Sequence, residues 1–141
     1  MEYQNALEPN EEQIAGFLAP GDDRPIYMLN LLKYKDKAEY ADGRDTELSG
    51  RDAYQIYGAG VLDRLAAVKG GIIFSSIVSR LMLGEVEELW DDVAIAMYPS
   101  RAAMLKMISS PEYQKITVHR EAGLAGQLNI ETHAQFAASV G

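Results

Sequence analysis

Hydrophobic spacing changes along this chain and sets the order of its elements. Asn10 precedes an apolar set at Ile14, Phe17 and Leu18. An Asn in that place caps a helix, and Gln13 is set for the reciprocal capping contact. Pro20-Gly21 ends this helix. From Pro25 to Tyr34 apolar residues run almost unbroken, as in a strand buried on both faces. Ser49 with Asp52 resembles a capping box, and Tyr54, Tyr57, Val61, Leu65 and Val68 recur at three- and four-residue steps, predicting a long helix that Gly70-Gly71 stops. Ile72 to Leu83 and Val93 to Tyr98 predict a second and a third strand, joined by the acidic run EVEELWDD. Ser100 caps a helix that turns Ala103, Met104, Met107 and Ile108 inward, Ser110-Pro111 starts another, and Gln127 to Thr132 predicts the last strand. The order β-α-β-β-α-β predicts an α+β, ferredoxin-like fold with an antiparallel sheet. Its domain spans residues 25–133, after an extension over 1–24 that carries the short helix and before a tail over 134–141.

The strands also predict assembly. In the first, Ile26, Met28 and Leu32 point one way and Tyr27, Leu29 and Leu31 the other, so both faces need cover. The second repeats the pattern. Two helices cover one face only, and an apolar face of a whole sheet exceeds what a monomer usually exposes. A homodimer with sheets face to face is therefore expected. The alternative is that the N-terminal helix and the apolar tail AQFAASV close the second face within one chain.

Composition narrows the partners. With 13 Lys and Arg against 21 Asp and Glu, the formal net charge is −8, which repels phosphate backbones and anionic lipid, so neither nucleic acid nor a membrane surface is expected. Cys is absent, which removes disulfides, thiolate metal sites and Cys nucleophiles and fits a reducing compartment. The first residues, MEYQNALEPNEEQ, lack the basic flank and apolar run of a leader, and no segment approaches the roughly 20 apolar residues of a membrane span. A cytoplasmic protein is expected.

A family resemblance rests on MLNLLKY at Met28 to Tyr34, Tyr57-Gly58, Gly70-Gly71, Gly84, Trp90-Asp91, YPSRAA at Tyr98 to Ala103, SPEYQ at Ser110 to Gln114, and Arg120. In this order and spacing the chain resembles the domain of unknown function 1330 (DUF1330) family of the dimeric α+β barrel superfamily. The resemblance implies a dimeric barrel and leaves the activity open. Haem-degrading monooxygenases of that superfamily use an Asn on the first strand, a Trp near the third and a His opening the next helix. Asn30 and Trp90 are similar to the first two, but Ser100-Arg101 stands where the His belongs.

Candidates for chemistry are few. Asn30, on the face of Ile26, Met28 and Leu32, either orients a ligand or ties strands together, because a buried amide must find partners. Arg80 interrupts the apolar second strand, where it either holds an anion or pairs with Glu85, Glu87 and Glu88. Eight Tyr against three Phe suit a pocket for an aromatic molecule, Tyr34, Tyr57 and Tyr98 foremost, and equally a dimer interface. Trp90 closes one end of a pocket or staples a hairpin. Arg101 and Arg120 complete the ligand-binding candidates, and His119 is the candidate proton carrier beside Asn30 and Arg80. The two His are too dispersed for a metal site, GAG at Gly58 to Gly60 lies within a helix and reads as close packing rather than a phosphate cradle, and no cofactor is expected. The polar stretch Lys35 to Gly50 is either a lid, with Tyr40 and Arg44 closing over a ligand, or disordered. The expected protein binds a small, partly apolar or aromatic molecule in a pocket between sheet and helices. It turns that molecule over without a cofactor; the alternative is a non-catalytic dimer that holds a ligand or is purely structural.

Overall fold

The structure is a computed structural model that describes Gln4 and residues 6–135. Its elements are α1 (Glu11–Leu18), β1 (Ile26–Tyr34), α2 (Gly50–Ala67), β2 (Gly71–Ile77), β3 (Asp92–Tyr98), α3 (Arg101–Ile108), α4 (Pro111–Gly123) and β4 (Leu124–Thr132). The sheet order is β2-β3-β1-β4 with every neighbouring pair antiparallel, which is the ferredoxin-like arrangement. The caps are those the sequence implies. Asn10 and Gln13 form the reciprocal box on α1, and Ser49, Ser100 and Ser110 accept from the third residue beyond them, with Pro111 first in α4. Each satisfies a backbone donor that a helix start leaves open.

The two faces of the sheet have different fates. Ile26, Met28 and Ala96 pack with Tyr57, Val61, Leu65, Tyr98, Met107 and Tyr113 into the core between sheet and helices. On the other face, register places Leu29 beside Ile95 and Ile130, Leu31 beside Val93 and Leu128, and Phe74 beside Ile95. None of these is buried, and Phe74 and Ile130 are 54% and 43% exposed. The N-terminal helix does not close this face: it lies against α3, where Phe17 joins the helix-side core. The tail from Phe136 onward lies outside the described residues.

Glycine sets how closely the helices pack. The start of α2 crosses the end of α4 with Gly50 against Gly123, where a Cβ on Gly50 would fall 2.1 Å from the Lys35 carbonyl oxygen and 2.6 Å from that of Gly123. Further along the same antiparallel pair, Gly60 lies against Ile116.

Three expectations need correction. The second strand ends at Ile77 rather than Leu83. The Val78 amide donates to the Asp91 carbonyl, but Asp91 then turns to β1, its amide donating to the Leu32 carbonyl and its carboxylate accepting from the Tyr34 amide. Residues 79–83 thus lose a ladder partner, and Arg80 sits on an exposed loop whose Met82 is 94% exposed. The last strand starts at Leu124, three residues earlier than expected, because α4 runs into it without a turn. The stretch over 35–49 is neither free lid nor formless: Ala38 and Tyr40 bury against Ala53 and Ala122, and Ala38 and Glu39 donate their amides to the carbonyls of Leu48 and Ala122. Among the described residues no helix is long and apolar enough to cross a membrane.

Candidate functional site

On β1 the helix-side face of the sheet is interrupted by one polar residue, Asn30, beside which register sets Asn129 and Gln127 of β4. Asn30 lies between Met28 and Leu32, opposite Ala94 of β3 and Asn129 of β4. Its amide nitrogen donates to the carbonyls of Met28 and Ala94, at 3.2 and 3.3 Å, and its Oδ1 accepts from Gln127 Nε2 at 2.7 Å and from Asn129 Nδ2. Both donors and both lone pairs of the side chain are engaged. Asn30 thus ties three strands and holds Gln127, whose Oε1 accepts from Arg120 Nη2 at 2.7 Å.

Above this floor runs a row of tyrosines. Ring centroids lie 5.5 Å apart for Tyr34 and Tyr54, 5.3 Å for Tyr54 and Tyr57, and 5.9 Å for the edge-to-face pair Tyr57 and Tyr113, within the range where aromatic pairs attract. The hydroxyls of Tyr57 and Tyr113 share a hydrogen bond of 3.0 Å. Those of Tyr54 and Tyr98 make no hydrogen bond to any described residue. Because no fully buried side-chain donor or acceptor lacks a partner among the described residues, these two hydroxyls are not sealed from water, which leaves each able to bond a water or a ligand oxygen. Burial raises the hydroxyl of Tyr98 well above the usual tyrosine range, with Tyr113 and Tyr54, members of the same core cluster or packed against it, adding to the effect. Tyr54 is pushed up to about 12 by burial, against the pull of the Arg120 guanidinium. Tyr57 is raised by burial and by Tyr113. Desolvation penalises the phenolate, so Tyr54, Tyr57 and Tyr98 are neutral donors at physiological pH.

One end of the row is closed by charge. Tyr34 donates to Asp92 Oδ2 at 2.7 Å, Arg51 Nη1 donates to both oxygens of Asp92 at 3.0 and 2.9 Å, and the guanidinium lies 4.7 Å from the centre of the Tyr34 ring. Burial, then the bond to Asp92, raises the Tyr34 hydroxyl far above its ordinary value.

Of the residues singled out in the sequence, Asn30, Tyr34, Tyr57, Tyr98 and Arg120 therefore share one region. Trp90 is half-buried in the loop just ahead of β3. The others lie elsewhere. Arg80 makes no ion pair. Arg101 forms a two-pronged pair with Glu131, at 2.6 and 2.8 Å, in an open cleft of about 370 Å³ between α1 and α3 that includes Phe17, Pro20 and Leu105. Among the described residues lining that cleft the one cation, Arg101, is already neutralised by Glu131. His119 bonds through Nδ1 to Tyr40 Oη at 2.7 Å, in the cluster under the 35–49 loop, and burial and then Arg44 hold its pKa below the ordinary value. Tyr54, set on the inward face of α2 by its spacing, and Tyr113 join the tyrosine region, and Arg51, Asp92 and Gln127 belong to the same region although the sequence did not single them out for it. Gln127 and Asp92 were open to discovery as polar residues facing Leu32 across β1.

Among the described residues no group of three or more His, Asp or Glu could hold a metal. Nor does the opening of α3 suit an axial haem ligand: the Ser100 hydroxyl accepts the cap bond from the Ala103 amide, and Arg101 is held by Glu131.

The DUF1330 model, a domain of unknown function, matches residues 44–131. The chain belongs to the DUF1330 family. Its fold is similar to the crystal structure of RPA0582, a protein of unknown function from Rhodopseudomonas palustris, with 30% identity over 95% of this chain and all of that one, at a TM-score of 0.84. The crystal structure of methylated RPA0582 protein gives 32% identity, 94% and 96% coverage and the same TM-score. SnoaB, a cofactor-independent oxygenase from Streptomyces nogalater, is 11% identical over 82% of this chain and 98% of its own, at a TM-score of 0.50; that likeness is one of fold alone. No curated protein matches the chain.

Proposed function

We propose that this DUF1330 protein is a homodimer whose subunits each bind a small, partly apolar aromatic molecule between sheet and helices. The observation that carries the binding is the pair of unengaged hydroxyls, Tyr54 and Tyr98, which are not sealed from water, in a cluster with the mutually bonded Tyr57 and Tyr113. Aromatic walls with a few convergent donors are what an aromatic guest bearing an oxygen needs. Neutral tyrosines donate to that oxygen; they are neither base nor nucleophile. The same donors support a second reading, turnover without a cofactor, since two hydroxyls facing a developing oxyanion would stabilise it. His119, spent on Tyr40, has no part in it.

The test is a thermal-shift screen of phenols and aromatic acids, amides and ketones on wild type and the Tyr54→Phe/Tyr98→Phe double variant. Compounds that raise the melting temperature of wild type should do so less in the variant, because each lost hydrogen bond weakens binding by roughly 0.5–1.5 kcal/mol. A screen without stabilising compounds, or shifts equal in both proteins, would reject the site.

The dimer rests on the apolar face of Leu29, Leu31, Phe74, Ile95 and Ile130, which no segment of the described chain covers. Light scattering should give twice the 15.5 kDa chain mass. A folded species at the single-chain mass at micromolar concentration would overturn it.

A further inference from the structure

Arg24, Arg44, Arg51 and Arg101 each lie on a carboxylate: Asp22, Asp42, Asp92 and Glu131. Arg120 differs. It is half-buried, and its recorded partners are two neutral carbonyls, Leu7 O at 2.8 Å and Gln127 Oε1 at 2.7 Å, both served by Nη2. Of the five N–H donors of a guanidinium, those on Nε and Nη1 stay unengaged. A partly desolvated guanidinium without a counter-charge is a cost that folding ordinarily avoids.

Its place in the fold is as telling as its charge. Arg120 follows Tyr113 by seven residues on α4, so the two share one face of that helix. One turn beyond, Gly123 brings α4 to within 3.0 Å of the Tyr54 amide nitrogen, measured from a Cβ built on it. Arg120 therefore stands beside the middle of the row, where its charge is felt by both Tyr54 and Tyr57. Gln127, itself gripped by Asn30, fixes the guanidinium from the sheet side. The Leu7 carbonyl holds a position where a carboxylate oxygen would bind more strongly, because an ionised acceptor roughly doubles the strength of such a bond.

We propose that Arg120 anchors an anionic group, so that the molecule taken by the tyrosine-lined space is a small aromatic acid. This inference rests on the binding reading above and adds the charge of the ligand. The carboxylate meets Arg120, displaces the Leu7 carbonyl, and the ring extends along Tyr54 toward Tyr98. Tyr98 bonds any second oxygen.

Calorimetric titration with benzoate and phenylacetate, against benzamide and phenylacetamide of nearly the same shape, separates the two claims. In wild type the acids should bind at least about tenfold more tightly than the amides, a difference of about 1.4 kcal/mol. Arg120→Gln should erase that preference and Arg120→Lys, which keeps the charge but loses the planar fork, should retain part of it. Tyr98→Phe should weaken ligands of both classes that carry a second oxygen, tested with 4-hydroxybenzoate and 4-hydroxybenzamide. Acids and amides binding wild type equally, or a preference that survives Arg120→Gln, overturns the anchor and leaves the tyrosine site standing if Tyr98→Phe still weakens both classes. No binding of any of these compounds to wild type overturns the anchor and the site together.

Discussion

Three glycines of α2 should respond to alanine in three different ways, because the space beside each differs while the helix is the same. At Gly50 the added methyl would lie 2.1 Å from the Lys35 carbonyl oxygen, about 1.3 Å short of ordinary contact, with the Gly123 oxygen at 2.6 Å and the Lys35 nitrogen at 2.7 Å. All three are backbone atoms. They are also bonded among themselves, Lys35 N to Gly123 O at 2.9 Å and Gly50 N to Lys35 O at 3.1 Å, so relief requires α2, α4 and the β1 end to part together. Overpacking costs about 1 to 3 kcal/mol and more where backbone must move, against a gain of roughly 1 kcal/mol at most from alanine's helix propensity. A net loss of about 3 kcal/mol follows, near 10 °C in melting temperature for a domain of this size. Gly58 has nothing within 4 Å of the same methyl, so Gly58→Ala should stabilise by about 0.5 to 1 kcal/mol. Gly60 faces Ile116 Cγ2 at 3.0 Å. That methyl sits on the β-branch of a helical isoleucine packed against the core, whose χ1 is fixed, so relief takes a small shift of the helices and Gly60→Ala should destabilise by about 1 kcal/mol, between the other two. Urea unfolding followed by circular dichroism, at one fixed chain concentration because dimerisation shifts the midpoint, reads all three. Gly50→Ala as stable as wild type, or Gly50→Ala and Gly58→Ala moving the midpoint in the same direction, would refute the account of the α2–α4 crossing.

The remaining predictions concern the site, the loop and the open face. Removing the Tyr57 or the Tyr113 hydroxyl with Phe should cost about 1 to 2 kcal/mol each, since the partner loses its bond, and the double variant should cost clearly less than the two added together; additive effects in the double-mutant cycle would mean the pair is not mutual. Folding lowers the pKa of His119 through burial and Arg44, so the unfolded chain takes up a proton first as pH falls below about 6.5. Its stabilisation is present in full above that pH and is lost as pH drops through the folded value. His119→Gln should flatten this part of the stability profile, and an unchanged slope in the variant would exclude the residue. Ile95→Glu, in the centre of the open face opposite Leu29 and Phe74, should give a folded monomer by light scattering. A variant that still dimerises would place the contact elsewhere.

Local signals were legible in the sequence, and pairings between distant segments were not. The capping residues Asn10, Ser49, Ser100 and Ser110 act within three residues, so their helices follow from the sequence without knowledge of the rest. The two-faced pattern of Ile26 to Leu32 likewise announced a sheet with one face buried under helices and one apolar face open. The second strand failed for the opposite reason. Val78 to Leu83 has the composition of a strand, yet strand structure needs a neighbour to bond, and the Asp91 that would begin that neighbour is held by Leu32 and Tyr34. The same limit hid the order within Lys35 to Gly50, whose anchors, Ala53 and Ala122, are supplied by two other elements.

Charge pairing explains why the site was only partly visible. In sequence, Arg80, Arg101 and Arg120 are alike as candidates for an anion. The fold separates them through residues far along the chain: Glu131 neutralises Arg101, loss of the strand leaves Arg80 in solvent, and Gln127, a neutral side chain, is what meets Arg120. An acidic residue at position 127 would have made Arg120 one more structural pair. The tyrosines follow similar logic, because the stripe of Tyr54 and Tyr57 on α2 is apparent from spacing, whereas their meeting with Tyr113 depends on the glycine contacts that bring α2 onto α4. Those contacts set the helix separation and with it the meeting of Tyr57 with Tyr113. Gly50, outside the tyrosine row, therefore bears on the proposed site through the helix spacing. Gly50→Ala, if it folds at all, should lose ligand binding along with stability, while Gly58→Ala should keep both.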